Sequence, residues 1–329
     1  MRRPLLVAAA ATAALGLPGR AFAHAGGSAP IATDFTARII GLSPPSRAIV
    51  ARVLDGDRLL WLRVAPGATA VVRGALGEPI LRFDRDGVFA NAASPTAWSD
   101  RILRNGPHRG WRRLTGDDAY AWHEHRLHAR EPLASGSRTA ASLGGWSVPL
   151  VVDGRVHVLH GSLDYRPPVS PWPWLGVATA LATCTTALGL HRRRRLVAVA
   201  AAVPACALVW IVRAARELYP RPFLGVGNYV AVAGSCLVGA VLVRGLVSRD
   251  GDVRVFTAML VGLGAAYEAA TMLPVLWHAT ALTLLPSSIA RALVTALLGC
   301  GIGALLLALI DQLQSVDRDT RTYDTLQET

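Results

Sequence analysis

The chain contains no lysine, so all 34 of its basic side chains are arginines, set against 22 acidic residues and giving a formal net charge of +12. Such a charge suits a nucleic-acid partner when it forms a basic stripe interleaved with aromatic residues, but no stripe of this kind occurs between residues 24 and 170. We therefore exclude nucleic acid as a partner. Attraction to anionic lipids or envelope polymers stays open.

Cysteine is scarce, and each of the four copies lies inside a long apolar segment. They are Cys184, Cys206, Cys236 and Cys300. No CxxC pair occurs, which argues against thiol redox chemistry and a thiolate zinc site. The chain before residue 170 has no cysteine, so it must be held together by burial rather than by disulfides.

Enzyme signatures are also missing. The sequence contains no nucleophile elbow, no phosphate-binding loop, no dinucleotide fingerprint and no paired-carboxylate site. We therefore predict that the protein is not an enzyme.

Hydrophobic runs, in contrast, are abundant. The chain opens with two arginines and an apolar run followed by Ala21-Phe22-Ala23, which predicts a removed signal peptide over residues 1–23. A second Ala-x-Ala ending at Ala25 leaves the cleavage point open between the two. Further on come five segments of about the length that crosses a bilayer as a helix. They cover roughly residues 172–190, 196–212, 223–243, 255–277 and 288–310.

Arginine placement predicts the orientation of these segments. The run Arg192–Arg195 should stay in the cytoplasm, since arginine-rich loops are retained on that side. Five crossings then place a tail, residues 312–329, in the cytoplasm and the N-terminal domain outside the cell. The protein is thus predicted to be a multi-pass protein of the cell membrane, in contact with the lipid bilayer. This orientation leaves Arg213 and Arg216 on the outer side, where such charges are less common.

Strand patterns dominate residues 24–165. Three pairs of alternating segments are joined by short turns, as β-hairpins are. The pairs are 48–54 with 59–64, 80–83 with 87–90, and 146–152 with 156–160. They predict an extracytoplasmic β-sandwich of the immunoglobulin-like kind. A proline-rich linker, residues 166–171, separates it from a five-helix transmembrane domain over residues 172–311.

The segment Trp122–His128, WHEHRLH, concentrates polar chemistry within this domain. A zinc-protease helix needs a second histidine four residues after the first, but Leu127 occupies that position and His128 comes one residue too late. As a strand, the segment would present His123 and His125 on one face, and Trp122, Glu124 and Arg126 on the other. Two interpretations remain open: half of a copper or zinc site, or a solvated strand face with a histidine bonded to a backbone carbonyl.

His24 would be the first mature residue after cleavage at Ala23, and its amine and imidazole together suit Cu(II). The late hairpin contains Asp153-Gly154-Arg155, with His157 two residues on, and Gly161–Tyr165 follows as a last strand. In these features the domain resembles exported copper-resistance proteins of the CopC type. The resemblance implies a CopC-like sandwich in which Asp153 matches the acidic ligand of the family and His157 substitutes for its histidine. A copper site would then combine His24 with one or two of His123, His125 and His157.

A second resemblance covers more of the chain. The patterns Gly77–Phe83, Gly87–Asn91, Ser94-Pro95 and Trp122–Arg126 are similar to those of uncharacterised bacterial multi-pass membrane proteins that have a signal peptide and an exported β domain. This resemblance implies an architecture, an all-β domain followed by an all-α transmembrane bundle of five helices, and no activity.

Glu268 is the one carboxylate well inside an apolar segment. Ionisable groups within a membrane are costly, which makes this glutamate a functional candidate. Met272 lies one turn further on, His278 ends the segment, and Asn228 is a candidate hydrogen-bond partner. One interpretation is a metal or proton path through His278, Met272 and Glu268. The alternative is that Glu268 fixes helix packing.

Three hypotheses for function follow. The protein handles copper at the cell envelope; or it is a non-catalytic binding, sensory or structural module that meets an envelope protein partner; or it is a small transporter that depends on Glu268.

Overall fold

The structure is a computed structural model that describes residues 30–103, 110–128, 137–191, 193–219, 221 and 226–327. The predicted signal peptide and His24 lie outside these residues. Contacts divide the chain into two units, one ending at Pro168 and the other beginning at Val169.

The first unit is built from antiparallel strands. They are β1 (Ala32–Thr33), β2 (Phe35–Ser43), β3 (Ile49–Leu54), β4 (Leu59–Val64), β5 (Ala70–Arg73), β6 (Pro79–Asp84), β7 (Gly87–Asn91), β8 (Trp111–Thr115), β9 (Ala119–His123), β10 (Ala141–Val152) and β11 (Arg155–Tyr165). A short helix, α1 (Pro95–Ser99), and a 3-10 turn (His125–Leu127) interrupt them.

The strands from β2 to β11 form two sheets. One has seven strands in the order β2-β11-β10-β5-β6-β7-β8, and the other has three in the order β3-β4-β9. The three predicted hairpins are confirmed as β3–β4, β6–β7 and β10–β11. The last turns at Asp153 and Gly154, both with positive φ, as a two-residue Asp-Gly hairpin requires.

Side chains from both sheets meet in one core. Leu60 and Trp122 enter it from the three-stranded sheet, and Phe83 and Val148 enter it from the seven-stranded sheet. Along β11 every second residue from His157 to Tyr165 is buried, which is the period of a strand with one face on the core. The predicted all-β, sandwich-like domain is confirmed at this level, while the immunoglobulin-like and CopC-like topology stays a prediction.

The second unit is helical. Its elements are α2 (Trp172–His191), α3 (Arg194–Glu217), α4 (Val226–Leu246), α5 (Gly251–Met272), a 3-10 turn (Leu273–Leu276), a short strand β12 (Thr280–Ala281) and α6 (Ser287–Gln327). Five of the helices are long and apolar enough to cross a membrane. The chain is therefore a multi-pass membrane protein with an N-terminal β domain, and the predicted number of spanning helices is confirmed.

Two helices extend furthest past their predicted ends. Helix α3 continues past residue 212 to Glu217, so Arg213 and Arg216 belong to the helix rather than to a loop. Helix α6 continues to Gln327, through most of the predicted tail. Both extensions lie beyond the end of an apolar run, where hydropathy does not signal a helix.

Helix α6 packs against α2, α3 and α5. Glycines allow this close approach: a Cβ on Gly299 would lie 2.7 Å from Leu181 of α2, and one on Gly301 would lie 2.7 Å from the Cβ of Ala265 of α5. Helix α4, in contrast, packs against α3 and α5, and no residue in its most apolar stretch is buried. It therefore lies at the edge of the bundle.

Candidate functional site

The segment Trp122–His128 begins as a strand and continues as a 3-10 turn. Strand β9 ends at His123, and Glu124 is the N-cap of the 3-10 turn, its side chain accepting a hydrogen bond of 3.2 Å from the backbone of Arg126. Leu127 is fully buried in the core. The prediction of a strand is therefore wrong beyond His123, because the cap and the apolar Leu127 favour a turn.

Three residues of this segment form a buried polar network. Glu124 is 1% exposed and accepts a hydrogen bond of 3.0 Å from the indole N–H of Trp122. Arg126 donates to both carboxylate oxygens of Glu124, at 2.6 and 2.7 Å, and to the backbone oxygen of Arg73 at 3.0 Å. Bidentate pairing of this kind is directional, so the network fixes the turn in place.

The histidines of the segment gather on the other side. The ring centroid of His123 lies 4.7 Å from that of His125 and 4.8 Å from that of His128, and the latter two are 6.1 Å apart. The Nε2 atoms of His123 and His128 lie 3.1 Å apart. The contacts group these residues as predicted, His123 with His125, and Trp122 and Arg126 with Glu124. The three rings are called the His cluster below.

Two members of the His cluster contact a carboxylate through their Nδ1 atoms. Nδ1 of His128 is 2.8 Å from Oδ2 of Asp57, in the turn between β3 and β4. Nδ1 of His125 contacts Oδ1 of Asp100, the C-cap of α1. Both aspartates are buried. A carboxylate that accepts from Nδ1 leaves the Nε2 lone pair of the same ring available.

The electrostatics of the cluster favour neutral imidazole at its centre. Burial above all, together with the nearby His128, His125, Arg58 and Arg101, lowers the pKa of His123 to about 4. Burial also raises the pKa of Asp100, against the hydrogen bond from His125. Nδ1 of His123 is buried and has no hydrogen-bond partner among the described residues. Neutral imidazole is the form that binds metal ions.

The cluster is not yet a complete metal site. Across the part of the chain that the structure describes, no three His, Cys, Asp or Glu side chains are already placed to hold a metal ion. The Nε2 atoms of His123 and His128 lie within hydrogen-bonding distance of each other, so a metal ion would have to replace that contact, and His125 would have to join them as a third ligand. Its side chain is 53% exposed, which leaves it room to do so.

The CopC-like candidates are held elsewhere in the seven-stranded sheet. Asp153 accepts hydrogen bonds from the backbone and hydroxyl of Thr69, at 2.8 and 3.3 Å. His157 is 5% exposed, and its Nδ1 lies 2.6 Å from the backbone oxygen of Pro44. The described contacts join neither residue to the His cluster, so the structure places the two groups of candidates apart.

In the helical unit, Glu268 faces an arginine. It is 2% exposed, and its Oε2 lies 3.9 Å from Nη1 of Arg213 on α3. Arg216, one turn on, is 3.4 Å from the hydroxyl of Thr271, which donates to the backbone oxygen of Glu268 at 2.8 Å. Oε1 of Glu268 and Nε of Arg213 are buried, and within the described part of the chain neither has a hydrogen-bond partner. The predicted segment ended at residue 212 and therefore did not include Arg213, so the sequence did not predict this pair.

The other membrane candidates have separate surroundings. Asn228 donates to the side chain of Glu217, at 3.1 Å. Met272 is 1% exposed, one turn after Glu268. The backbone oxygen of His278 accepts a hydrogen bond of 2.7 Å from Arg291, a buried arginine of α6 that the sequence interpretation did not single out. These contacts favour the packing interpretation of Glu268 over a path.

Comparison of the chain with protein-family models, with curated proteins and with solved structures returns no match.

Proposed function

We propose that this membrane protein binds a divalent transition-metal ion, copper(II) or zinc(II), through the His cluster of its β domain. The observation that carries the proposal is the 3.1 Å separation of the Nε2 atoms of His123 and His128. Two nitrogens bound to one metal at about 2.0–2.1 Å lie about 3.3–3.4 Å apart in tetrahedral geometry and about 2.9 Å apart in square-planar geometry. The separation falls between these values.

The carboxylates support the same role. Metal-binding histidines usually donate their second ring N–H to a carboxylate or a carbonyl, which fixes the ring and raises its basicity. Asp57 provides this contact for His128, and Asp100 provides it for His125. A solvated strand face would not need two buried aspartates behind two neighbouring imidazoles.

The donor set limits the metal. Imidazole nitrogens suit copper(II) and zinc(II), and the absence of thiolates from the domain argues against sites for softer ions. The sequence resemblance to CopC-type proteins adds weight to copper. The role is binding rather than catalysis, performed by a domain that the arginine distribution predicts to lie outside the cell.

The test uses the full chain in detergent micelles, titrated with copper(II) and separately with zinc(II) against a competing chelator. His128→Ala should weaken binding by about tenfold or more, and Asp57→Asn should weaken it by about tenfold, the usual cost of losing an outer carboxylate. His160→Ala is the matched control, because His160 is an exposed histidine of β11 and should change nothing.

Two results would overturn the proposal. One is wild-type protein that gives no metal-dependent signal near neutral pH. The other is binding that survives the double replacement His123→Ala with His128→Ala. If copper binding then disappears with His24→Ala, the metal is held by the N-terminal residue and not by the His cluster.

A further inference from the structure

A polar cavity lies at the end of the helix bundle where α3 begins. Its volume is about 430 Å³. The lining side chains are all polar, and they are Arg193, Arg194, Arg195, Asp311 and Gln314. The cavity belongs wholly to the helical unit and is separate from the Arg213–Glu268 pair, which lies toward the other end of α3.

The three arginines differ in how their charge is balanced. Arg195 is paired with two carboxylates, Asp311 at 2.9 Å and Asp252 at 3.2 Å. Arg194 contacts the side-chain oxygen of Gln314, which is neutral. The guanidinium of Arg193 has no partner among the described residues. Among the described side chains, two of the three positive charges at the cavity therefore have no carboxylate beside them, while the third is fixed in place.

The start of helix α3 adds positive potential at the same place. Arg193 is its N-cap and provides no side-chain hydrogen bond to the first turn. Helix α5 begins at the same end of the bundle, but there Asp250 accepts from two backbone N–H groups, at 2.9 and 3.3 Å. The uncapped N–H groups of α3 and its helix dipole favour an anion beside these arginines.

We propose that this cavity binds a phosphate group through Arg193 and Arg194. Arg195 lines the cavity but remains paired with Asp311 and Asp252. Guanidinium groups match phosphate because they can donate two parallel hydrogen bonds. The cavity lies where the apolar helix α2 ends and the apolar helix α3 begins. An anionic phospholipid is one source of the phosphate, since basic pockets beside spanning helices bind such headgroups, and free phosphate is the other.

The experiment compares the wild type with the double variant Arg193→Gln, Arg194→Gln in nanodiscs of phosphatidylcholine with and without phosphatidylglycerol. Native mass spectrometry measures how strongly phosphatidylglycerol is retained. The control is the double variant Arg244→Gln, Arg249→Gln, which removes the same charge at the same end of the bundle from residues that do not line the cavity.

We expect the cavity variant to retain phosphatidylglycerol about tenfold less well, which corresponds to losing one charge-assisted hydrogen bond or more, and the control to match the wild type. A second arm adds inorganic phosphate to protein in neutral micelles and follows thermal unfolding. If phosphate stabilises the wild type but not the cavity variant, free phosphate is a ligand. If phosphate does not stabilise the wild type but the wild type retains phosphatidylglycerol, the lipid headgroup is the ligand. Equal losses in both variants, or no preference of the wild type for either phosphate source, overturns the proposal.

Discussion

Arg126 holds Glu124 through two parallel hydrogen bonds of 2.6 and 2.7 Å. The pair is buried, and Trp122 provides a third hydrogen bond to the same carboxylate. The arrangement explains why a segment so rich in histidine is ordered. The inward residues fix the backbone, and the rings of His123 and His128 are consequently held close together.

Replacing Arg126 with Met should destabilise the β domain by about 3–5 kcal/mol, because a buried carboxylate is left without its charged partner. The measurement is hydrogen exchange of the β4 and β9 amides in the full chain. Arg85→Met is the control, since its pair with Asp86 is 90% and 70% exposed and such pairs contribute about 0–1 kcal/mol. Equal exchange in the two variants would contradict the prediction.

Much of the fold could be predicted because the signals are local. The apolar run Leu59–Val64 after the Asp55-Gly56-Asp57 turn, and the Asp153-Gly154 turn, each predict a hairpin from a few neighbouring residues. The spanning helices follow from apolar length. The end of α3 at Glu217 could not be predicted, because Arg213 and Arg216 are polar in sequence and become acceptable only beside Glu268 and Thr271.

The candidate site was predictable only in part. His123 and His125 follow from the two-residue period of a strand, but His128 was set aside because it fails the spacing of a protease helix. The buried Leu127 was the available signal that the strand ends and that His128 returns to the side of the other histidines. Asp57 and Asp100 are 71 and 25 residues away from their histidines, so no local pattern reveals them.

The stability of the β domain should fall in acid through Glu78. Burial raises its pKa, but hydrogen bonds from Thr96, Ser94 and nearby backbone N–H groups outweigh this and lower it to about 2, from 4.5. The unfolded chain therefore binds more protons between these values, and this stabilisation is complete above pH 4.5 and lost as the pH falls toward 2.

Glu78→Gln removes the titrating group and tests this dependence. The wild type should be the more stable protein at neutral pH, and the difference should shrink as the pH falls through the window. The measurement is the free energy of unfolding from hydrogen exchange of the β6 amides. A difference that stays constant with pH would show that Glu78 is not the group responsible.

Helices α5 and α6 meet at Gly262. A Cβ there would lie 2.8 Å from the backbone oxygen of Gly301 and 2.8 Å from the backbone nitrogen of Leu305, so Gly262→Ala must push the helices apart. The expected cost is about 1–3 kcal/mol, seen as a lower thermal unfolding temperature in detergent. Gly234→Ala on α4 is the control, because nothing lies within 4 Å of its Cβ position. A control variant as unstable as Gly262→Ala would refute the steric explanation.

The pair Arg213–Glu268 joins α3 to α5 within the apolar part of the bundle, and a double-mutant cycle measures what it contributes. Arg213→Met and Glu268→Met should each lower the thermal unfolding temperature in detergent, by a cost of about 3–5 kcal/mol, because each leaves a buried charge alone. The double variant should recover most of that loss, since both charges are gone. Single variants as stable as the wild type would mean that Glu268 does not fix helix packing, and the path through Met272 and His278 would then be the better interpretation.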